Sequence, residues 1–464
     1  MGIVSARGEE HSLGLAVERM KNMPEITQEM TAEFAKTYAA NDKHQVVAHS
    51  VIKNGITASG ENIASHVENA PVFSIDLATG AVANQKQSGR CWMFAALNTF
   101  RHKMLNSFKL KDFELSQNYT FFWDKYEKAN YFYENILATA DQDLTSREVA
   151  FLLQMPQQDG GQWDMIVSIF QKYGVVPKAA MPESTNSSNS RDLNNYLNKK
   201  LRKDAVTLRE MVAAGKSDAD IQSAKKAMLE EIYNFLRISL GTPPETFDFE
   251  YRDEDKNYHI DQNLTPQTFF EKYVGVNLDD YVSIINAPTA DKPYDKSYTV
   301  SMLGNVVGGK QVKYLNVDMD SFKKLAIAQL ESGESIWFGC DVGQSSTRDS
   351  GIMAMDAFDI NGLFDIDFAM TKAERLDYGE SLMTHAMVLT GVDVVDGQST
   401  KWKVENSWGD KVGEKGFFVM SDAWMDEYTY QIVIRKEFLS PEQLAAFEAE
   451  PKVLAPWDPM GALA

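Results

Sequence analysis

A turn that contains a glycine leads directly into an amphipathic helix, and that helix begins with a cysteine and a tryptophan. The turn spans residues 84–90, and Cys91 and Trp92 follow it. Apolar side chains then recur at gaps of three and four from Met93 to Phe108, which predicts a helix. Unpaired N–H groups at a helix start favour an anion, so we expect the Cys91 thiol to lose its proton easily. The segment predicts a nucleophilic cysteine.

Composition limits the class of protein and its surroundings. The chain has 464 residues, 44% of them hydrophobic, which suffices for two to four structural units with a large core. A net charge of −20 counts against a nucleic-acid partner. Two cysteines cannot form a disulfide framework, which indicates a reducing, cytoplasmic location. The sequence shows neither an apolar run long enough to span a membrane nor a secretory signal, so no membrane partner is expected.

Helical patterns come first along the chain and strand patterns come later, which predicts an α+β fold. A cluster of Asn and Ser residues separates the first helical part from two charged helical patterns, which look like an insertion. The predicted parts are a loose extension (1–23), a helical lobe that carries Cys91 (24–183), a helical insertion (184–280), a β-rich lobe (281–445) and a C-terminal arm (446–464).

A cysteine nucleophile needs a proton acceptor, and one of the seven histidines has suitable surroundings. His385 precedes the apolar strand pattern 386–392, so it lies at the entrance of a buried strand. Asn406 follows the next strand pattern, 401–404. If these strands are neighbours, the Asn406 carbonyl can accept the imidazole N–H and fix the ring. Four other histidines lie in polar helical stretches and are interpreted as surface or capping residues: His44, His49, His66 and His102.

These motifs together resemble the papain-type cysteine peptidases. The shared residues are Gln85, Cys91-Trp92, His385 and Asn406-Ser407-Trp408-Gly409. The papain motif is Cys-Gly-Ser/Ala-Cys-Trp. Here Ser88 replaces the first cysteine, which is normally disulfide-bonded, and this fits a reducing compartment. His385 also follows Cys91 by far more than the roughly 130–150 residues usual in papain-like enzymes, and the 184–280 segment has room for most of the excess.

The chain is more closely similar to the family of bleomycin hydrolase and aminopeptidase C. Residues 84–92 match its catalytic signature, and residues 240–244, 337–342 and 456–464 are equally similar to it. The resemblance runs from about residue 30 to the C-terminus. It implies a papain-like fold of two lobes, one helical and one like a β-barrel, with a large helical insertion.

The resemblance implies a role for each residue of the catalytic motifs. Cys91 is similar to the family's nucleophile, and His385 to the base that later protonates the leaving amine. Asn406 would orient His385, and Trp408 would shield their hydrogen bond from water. The side-chain amide of Gln85 and the backbone N–H of Cys91 would bind the oxyanion. No metal and no cofactor is implied.

The resemblance also implies the kind of peptidase. In this family the C-terminal tail lies in the active-site cleft, so the carboxylate of Ala464 would pair with the free α-amino group of a peptide substrate. Gly160 and Gly161 would let the substrate backbone approach closely. The expected protein is an aminopeptidase that takes peptides with free N-termini. Relatives of this kind form homohexamers, and the same assembly is expected here.

Two alternatives remain open from the sequence. The first is an endopeptidase of the same fold, in which the tail does not limit the substrate. The second is a nucleic-acid-binding or scaffolding hexamer, which the strongly negative charge disfavours. The other cysteine, Cys340, lies in an apolar strand pattern and is predicted to pack in the core rather than to react.

Overall fold

The computed structural model describes residues 24–464 except Asp112, so the predicted extension 1–23 lies outside the described residues. Its helices are α1 Gln28–Ala39, α2 Asp42–Asn54, α3 Ile56–Gly60, α4 Ile63–Glu68, α5 Cys91–Phe108, α6 Gln117–Ala138, α7 Arg147–Gln154, α8 Trp163–Tyr173, α9 Thr185–Ser188, α10 Arg191–Ala213, α11 Asp218–Leu240, α12 Pro266–Phe269, α13 Met319–Glu331, α14 Ile360–Phe364, α15 Lys372–Asp377, α16 Asp422–Tyr428 and α17 Pro441–Glu448.

The strands follow the same chain order. They are β1 Ile75–Asp76, β2 Phe247–Arg252, β3 Tyr258–Leu264, β4 Tyr281–Ile285, β5 Lys296–Val300, β6 Tyr314–Asn316, β7 Ile336–Cys340, β8 Ser346–Thr347, β9 Ile352–Met353, β10 His385–Val395, β11 Gln398–Glu405, β12 Phe417–Ser421, β13 Thr429–Arg435 and β14 Lys452–Leu454. The fold is α+β, as predicted.

The contacts divide the chain into two compact units. The first unit consists of residues 24–61 together with residues 358–368. A polar side chain caps the start of each of the first two helices. Thr27 accepts from the Met30 N–H at 3.2 Å before α1, and Asn41 accepts from the His44 N–H at 3.3 Å before α2. Neither helix buries a residue fully. The sequence did not indicate this unit, and the predicted domain boundaries stay predictions.

The second unit contains a sheet of twelve strands. Eleven follow the order β14-β5-β6-β4-β13-β7-β10-β11-β12-β9-β8, and β1 pairs with β10 at its side. At the centre, β10 pairs antiparallel with both β7 and β11, so His385 lies opposite Cys340, and Val388 opposite Glu405. β7 and the first eight residues of β10 are buried on both faces, and α5 packs against both strands. The sheet therefore holds the predicted histidine strand against the predicted cysteine helix.

The segment 184–280 contains the two predicted helices, α10 and α11, which pack against each other and against α6. It also contains the antiparallel hairpin of β2 and β3, which the sequence analysis did not predict. Several of the hairpin's outward positions are exposed and polar, so its apolar period is weak. Within residues 24–464 apart from Asp112, every helix is too short or too polar to cross a lipid bilayer.

Candidate active site

Cys91 is the first residue of α5, as the sequence predicts. Its side chain is buried beside β10, where the backbone N–H of Ala386 approaches the sulfur. Burial raises the pKa of the Cys91 thiol to about 11, and this effect outweighs the N–H groups of Ala386 and Trp92, which favour the thiolate. The expectation of an easily deprotonated thiol took account of the helix start and of a charged histidine partner, but not of burial. In the closed site, desolvation is the larger effect.

His385 and Asn406 meet where two neighbouring strands end. The Nε2 atom of His385 lies 2.9 Å from Oδ1 of Asn406, and the N–H of Ser407 donates to the same oxygen at 2.7 Å. Since that oxygen accepts both bonds, Nε2 carries the proton and Nδ1 is left as a base. The ring centroid of Trp408 lies 5.0 Å from that of His385. Burial lowers the pKa of His385 to about 4, while the bond to Asn406 opposes this shift.

The side chain of Gln85 is fixed at both ends. Its Oε1 accepts from the Ser407 hydroxyl at 2.5 Å, and its Nε2 donates to the Ser88 carbonyl at 2.8 Å. The Ser88 hydroxyl in turn donates to the Gln85 carbonyl at 2.7 Å and accepts from Arg90 Nε at 2.8 Å. Ser88 thus stabilises the turn by hydrogen bonds, where papain-type enzymes have a cysteine. The second N–H of the Gln85 amide donates no hydrogen bond to any residue that the structure describes.

Gly160 and Gly161 lie against the last residue of the chain. The N–H of Gly161 donates to a carboxylate oxygen of Ala464 at 3.1 Å, and the N–H of Ala464 donates to the Gly161 carbonyl at 3.3 Å. A Cβ at Gly160 would lie 2.7 Å from that Ala464 oxygen, and a Cβ at Gly161 would lie 2.6 Å from the Trp92 ring. Both positions therefore require glycine, and Ala464 is only 4% exposed.

The arm that leads to Ala464 is held along its length. The Gln162 side chain donates to the Ala462 carbonyl at 2.6 Å, and the Tyr314 hydroxyl donates to the Met460 carbonyl at 3.1 Å. These bonds keep the final residues extended along the loop of Gly160 and Gly161. The tail is therefore ordered, although the composition of the last five residues alone resembles a frayed terminus.

Asp159 joins three parts of the site, and the sequence analysis did not single it out. Its carboxylate accepts from the Gly89 N–H at 3.0 Å, the Ser190 hydroxyl at 2.5 Å and the Asn194 amide at 2.8 Å, and Lys125 lies 2.7 Å away. Burial alone would raise the pKa of this carboxyl, but Lys125 and these donors hold the pKa well below its usual range. The carboxylate of Asp159, in the loop of Gly160 and Gly161, therefore binds both the turn before Cys91 and the start of the 184–280 insertion.

Two buried lysines of α6 hold the same glycine loop. Lys128 donates to the carbonyls of Gly160 at 2.7 Å and Gln158 at 2.9 Å, and it pairs with Asp124 at 2.7 Å. Burial lowers the pKa of Lys125, one turn earlier, to about 8 despite its ion pair. No local sequence signal separates these lysines from solvated ones, because their partners come from a distant segment.

A buried ionic cluster connects the cysteine helix to the strand that precedes Asn406. One carboxylate oxygen of Glu405 lies 2.7 Å from Arg101, and the other lies 2.8 Å from Nε2 of His102. The Nδ1 of His102 lies 2.9 Å from the Ser335 hydroxyl. The side chains of Arg101, His102 and Glu405 are all buried. The interpretation of His102 as a surface or capping residue is wrong, because α5 turns this position toward the sheet.

Glu405→Ala is expected to lower the free energy of unfolding by about 3–5 kcal/mol, since it leaves the Arg101 charge buried and unpaired. Urea denaturation followed by tryptophan fluorescence measures the change. The matched control is Glu414→Ala, an exposed glutamate with no ion pair to any residue that the structure describes, and we expect a change within about 0.5 kcal/mol. Equal effects of the two substitutions would contradict a stabilising role for the cluster.

The structure brings the predicted residues into two adjoining groups. Gln85, His385, Asn406 and Trp408 form the first group, and the N–H of Ala386, the residue after His385, approaches the sulfur of Cys91. Gly160, Gly161 and Ala464 form the second group, next to Trp92. The model of the Peptidase C1-like family matches residues 25–461 of this chain. The chain belongs to the Peptidase C1-like family.

Individual members of this family are similar over almost their whole length. Aminopeptidase C of Streptococcus thermophilus is 62% identical over 443 residues, which are 95% of this chain and 100% of that protein. Aminopeptidase C of Lactococcus lactis subsp. cremoris is 60% identical over 440 residues, with the same coverage. The crystal structure of PepW from Lactobacillus rhamnosis HN001 is similar with a TM-score of 0.94 and 65% identity, over 95% of this chain and 99% of that one.

These similarities confirm the predicted family, the papain-like cysteine peptidases of the aminopeptidase C type, and its α+β fold. They also confirm the predicted enzyme class, a cysteine-type aminopeptidase.

Proposed function

We propose that this cysteine aminopeptidase works through Cys91, His385 and Asn406. Cys91 attacks the carbonyl carbon of the peptide bond that follows the substrate's first residue. His385 accepts the thiol proton and then donates it to the leaving amine. Water opens the resulting thioester and releases the first residue. Two observations support these roles: the 2.9 Å contact between His385 and Asn406, and the position of Cys91 at the start of α5 beside β10.

The catalytic pair begins as neutral groups in this proposal. Burial raises the pKa of Cys91 and lowers that of His385, and both shifts favour the neutral thiol and the neutral imidazole over the ion pair. The proton moves to His385 as the sulfur attacks. The Asn406 carbonyl, which accepts the other ring N–H, stabilises the imidazolium that forms.

The oxyanion is assigned to Gln85 and to the backbone N–H of Cys91. The first turn of α5 leaves its N–H groups without helical partners, and the Gln85 amide is oriented by Ser88 and Ser407. Both donors are positioned before the substrate binds, so no reorganisation is needed during the reaction. Loss of one such donor costs about 2.7–4 kcal/mol of transition-state stabilisation in a serine peptidase.

One observation carries the assignment of a function for Ala464: this residue is buried and forms two backbone hydrogen bonds with Gly161. A substrate residue on the acyl side of the cleavage site would make bonds of this kind. The tail therefore occupies the place of further N-terminal residues, and the carboxylate of Ala464 faces the substrate's α-ammonium group. Charge pairing there favours free N-termini, and the backbone of the tail excludes longer chains.

The same proposal includes a homohexamer in the cytoplasm. The exposed apolar side chains of α1, which are Met30, Phe34 and Tyr38, recur at helical spacing and support an assembly surface. Cys91 and Cys340 are free thiols, which a reducing compartment maintains.

N-acetylation of a peptide substrate tests the function of Ala464. We expect kcat/KM to fall by about 100-fold, since acetylation removes the charged partner of the carboxylate, and hydrogen bonds to charged groups contribute about 1.5–3 kcal/mol. For the free peptide, kcat/KM should decline above about pH 8, where an α-amino group of pKa about 7.7–8.0 loses its proton.

An N-methylated peptide is the control for this test, because its amine keeps the positive charge and adds less bulk than an acetyl group. It should be cleaved faster than the acetylated peptide. Equal kcat/KM for the free and acetylated peptides would rule out selection by the carboxylate and favour an endopeptidase.

A further inference from the structure

Trp408 contacts two groups, of which the proposed mechanism uses only one. Its ring lies 5.0 Å from the His385 ring, and the guanidinium carbon of Arg348 lies 4.6 Å from its centroid. Arg348 projects from the tight turn between β8 and β9. The Gly351 N–H closes this turn by donating to the Thr347 carbonyl at 2.8 Å. This bond fixes the backbone of Arg348, whose guanidinium lies over the Trp408 ring.

Apart from the Trp408 ring, the guanidinium of Arg348 has no partner among the residues that the structure describes. Its side chain is exposed, donates no hydrogen bond within residues 24–464 apart from Asp112, and makes no ion pair there. Asp349, the next residue along the chain, forms no ion pair with it. A guanidinium presents a planar set of donors that suits a carboxylate. In a chain with a net charge of −20, an unpaired cation at this place is available to a ligand.

The position of Arg348 corresponds to the leaving-group side of the reaction. Gly161 and Ala464 occupy the acyl side. His385 protonates the leaving amine, so the departing part of the substrate extends past His385 toward Trp408. Because His385 and Arg348 both contact the Trp408 ring, the guanidinium lies within about 10 Å of the imidazole. An extended peptide covers about 3.3–3.6 Å per residue, so two or three residues span this distance.

We propose that Arg348 forms a subsite for a carboxylate located one or two residues beyond the cleaved bond. Two sources supply this group: the C-terminal carboxylate of a dipeptide or tripeptide, and the side chain of an aspartate or glutamate. The subsite rests on the proposed function, because that function decides which side the leaving group occupies. It gives the enzyme a preference for short or acidic peptides, in addition to the requirement for a free N-terminus.

Matched substrates test the subsite and separate the two sources. Trialanine is compared with its C-terminal amide, and Ala-Glu-Ala-amide with Ala-Gln-Ala-amide, for the wild type and Arg348→Gln. We expect the wild type to prefer each carboxylate peptide by about two- to five-fold in kcat/KM, the range for an exposed ion pair, and to lose this preference at high salt. Arg348→Gln should abolish the preference and leave the neutral peptides unaffected, while Arg348→Lys should keep part of it.

Lys324→Gln is the control for net charge, because it removes one exposed positive charge from α13. It should leave both preferences intact. A preference for one pair alone identifies the source of the carboxylate. If Arg348→Gln slows neutral and carboxylate peptides equally, Arg348 only supports Trp408 and the proposal is wrong. Cleavage of the amidated peptides by the wild type tests the proposed function separately, since those peptides lack any carboxylate for Arg348.

Discussion

Replacement of Cys91 by alanine is expected to lower kcat by about 10⁶-fold, the size of effect found when the nucleophile of a comparable triad is removed. Alanine keeps the start of α5 and its packing, so the Gln85 amide and the loop of Gly160 and Gly161 stay in place. Only the sulfur is lost, and neither His385 nor Asn406 can replace it as a nucleophile in this position. Steady-state hydrolysis of a peptide with a free N-terminus measures the change.

Cys340→Ala is the matched control, because it removes the other thiol from a buried position on β7, opposite His385 in the sheet. We expect nearly full activity and a loss of stability of about 1 kcal/mol. A thiol alkylator should inactivate the wild type and Cys340→Ala alike. If the Cys91→Ala variant is active and the alkylator does not inhibit it, Cys91 is excluded as the nucleophile.

Deletion of residues 461–464 is expected to change the kind of bond that the enzyme cleaves. Without the tail, the hydrogen-bonding positions of Gly161 become open to substrate residues that precede the cleaved bond. The deletion also removes the carboxylate of Ala464, which pairs with the substrate's α-ammonium group in the proposed function. We expect release of single N-terminal residues to fall by about 10- to 100-fold, consistent with one charged hydrogen bond, and cleavage within N-acetylated peptides to appear. Mass spectrometry of the products distinguishes the two activities.

Ala464→Gly is the control for the deletion, because it preserves the carboxylate and both backbone bonds to Gly161. It should remain an aminopeptidase and should not cleave acetylated peptides. If the deletion variant keeps its original products and rates, the tail has no part in substrate selection. The folded state of the variant is checked by thermal unfolding, since the arm also contacts Tyr314 and Gln162.

The sequence predicts those parts of the site that have strong local patterns. The helix after Cys91, the strand after His385 and the strand before Asn406 each combine an apolar period with a clear boundary, and each is observed within a few residues of its prediction. β10 and β11 are consecutive in the chain and pair antiparallel, which places His385 beside Asn406. Prediction of this contact needs no information about distant segments.

The parts that the sequence did not predict depend on contacts between distant segments. Whether Glu405 meets Arg101 or water is decided by the packing of α5 on the sheet, and neither residue's neighbours reveal it. The Cys91 pKa is a similar case, because the helix start is local information whereas the burial that raises the pKa is global. Lys125 likewise looks like a solvated charge until Asp159 is placed beside it.

Asp159 also has a consequence for motion. The Gly89 amide can exchange its hydrogen with solvent only when it separates from the carboxylate of Asp159, and Ser190 and Asn194 bind that same carboxylate. Opening of the cysteine turn therefore disturbs the start of the insertion, and opening of the insertion disturbs the turn. The two segments, about a hundred residues apart in the chain, should behave as one cooperative unit in hydrogen exchange, so the catalytic turn is as rigid as the insertion that covers it.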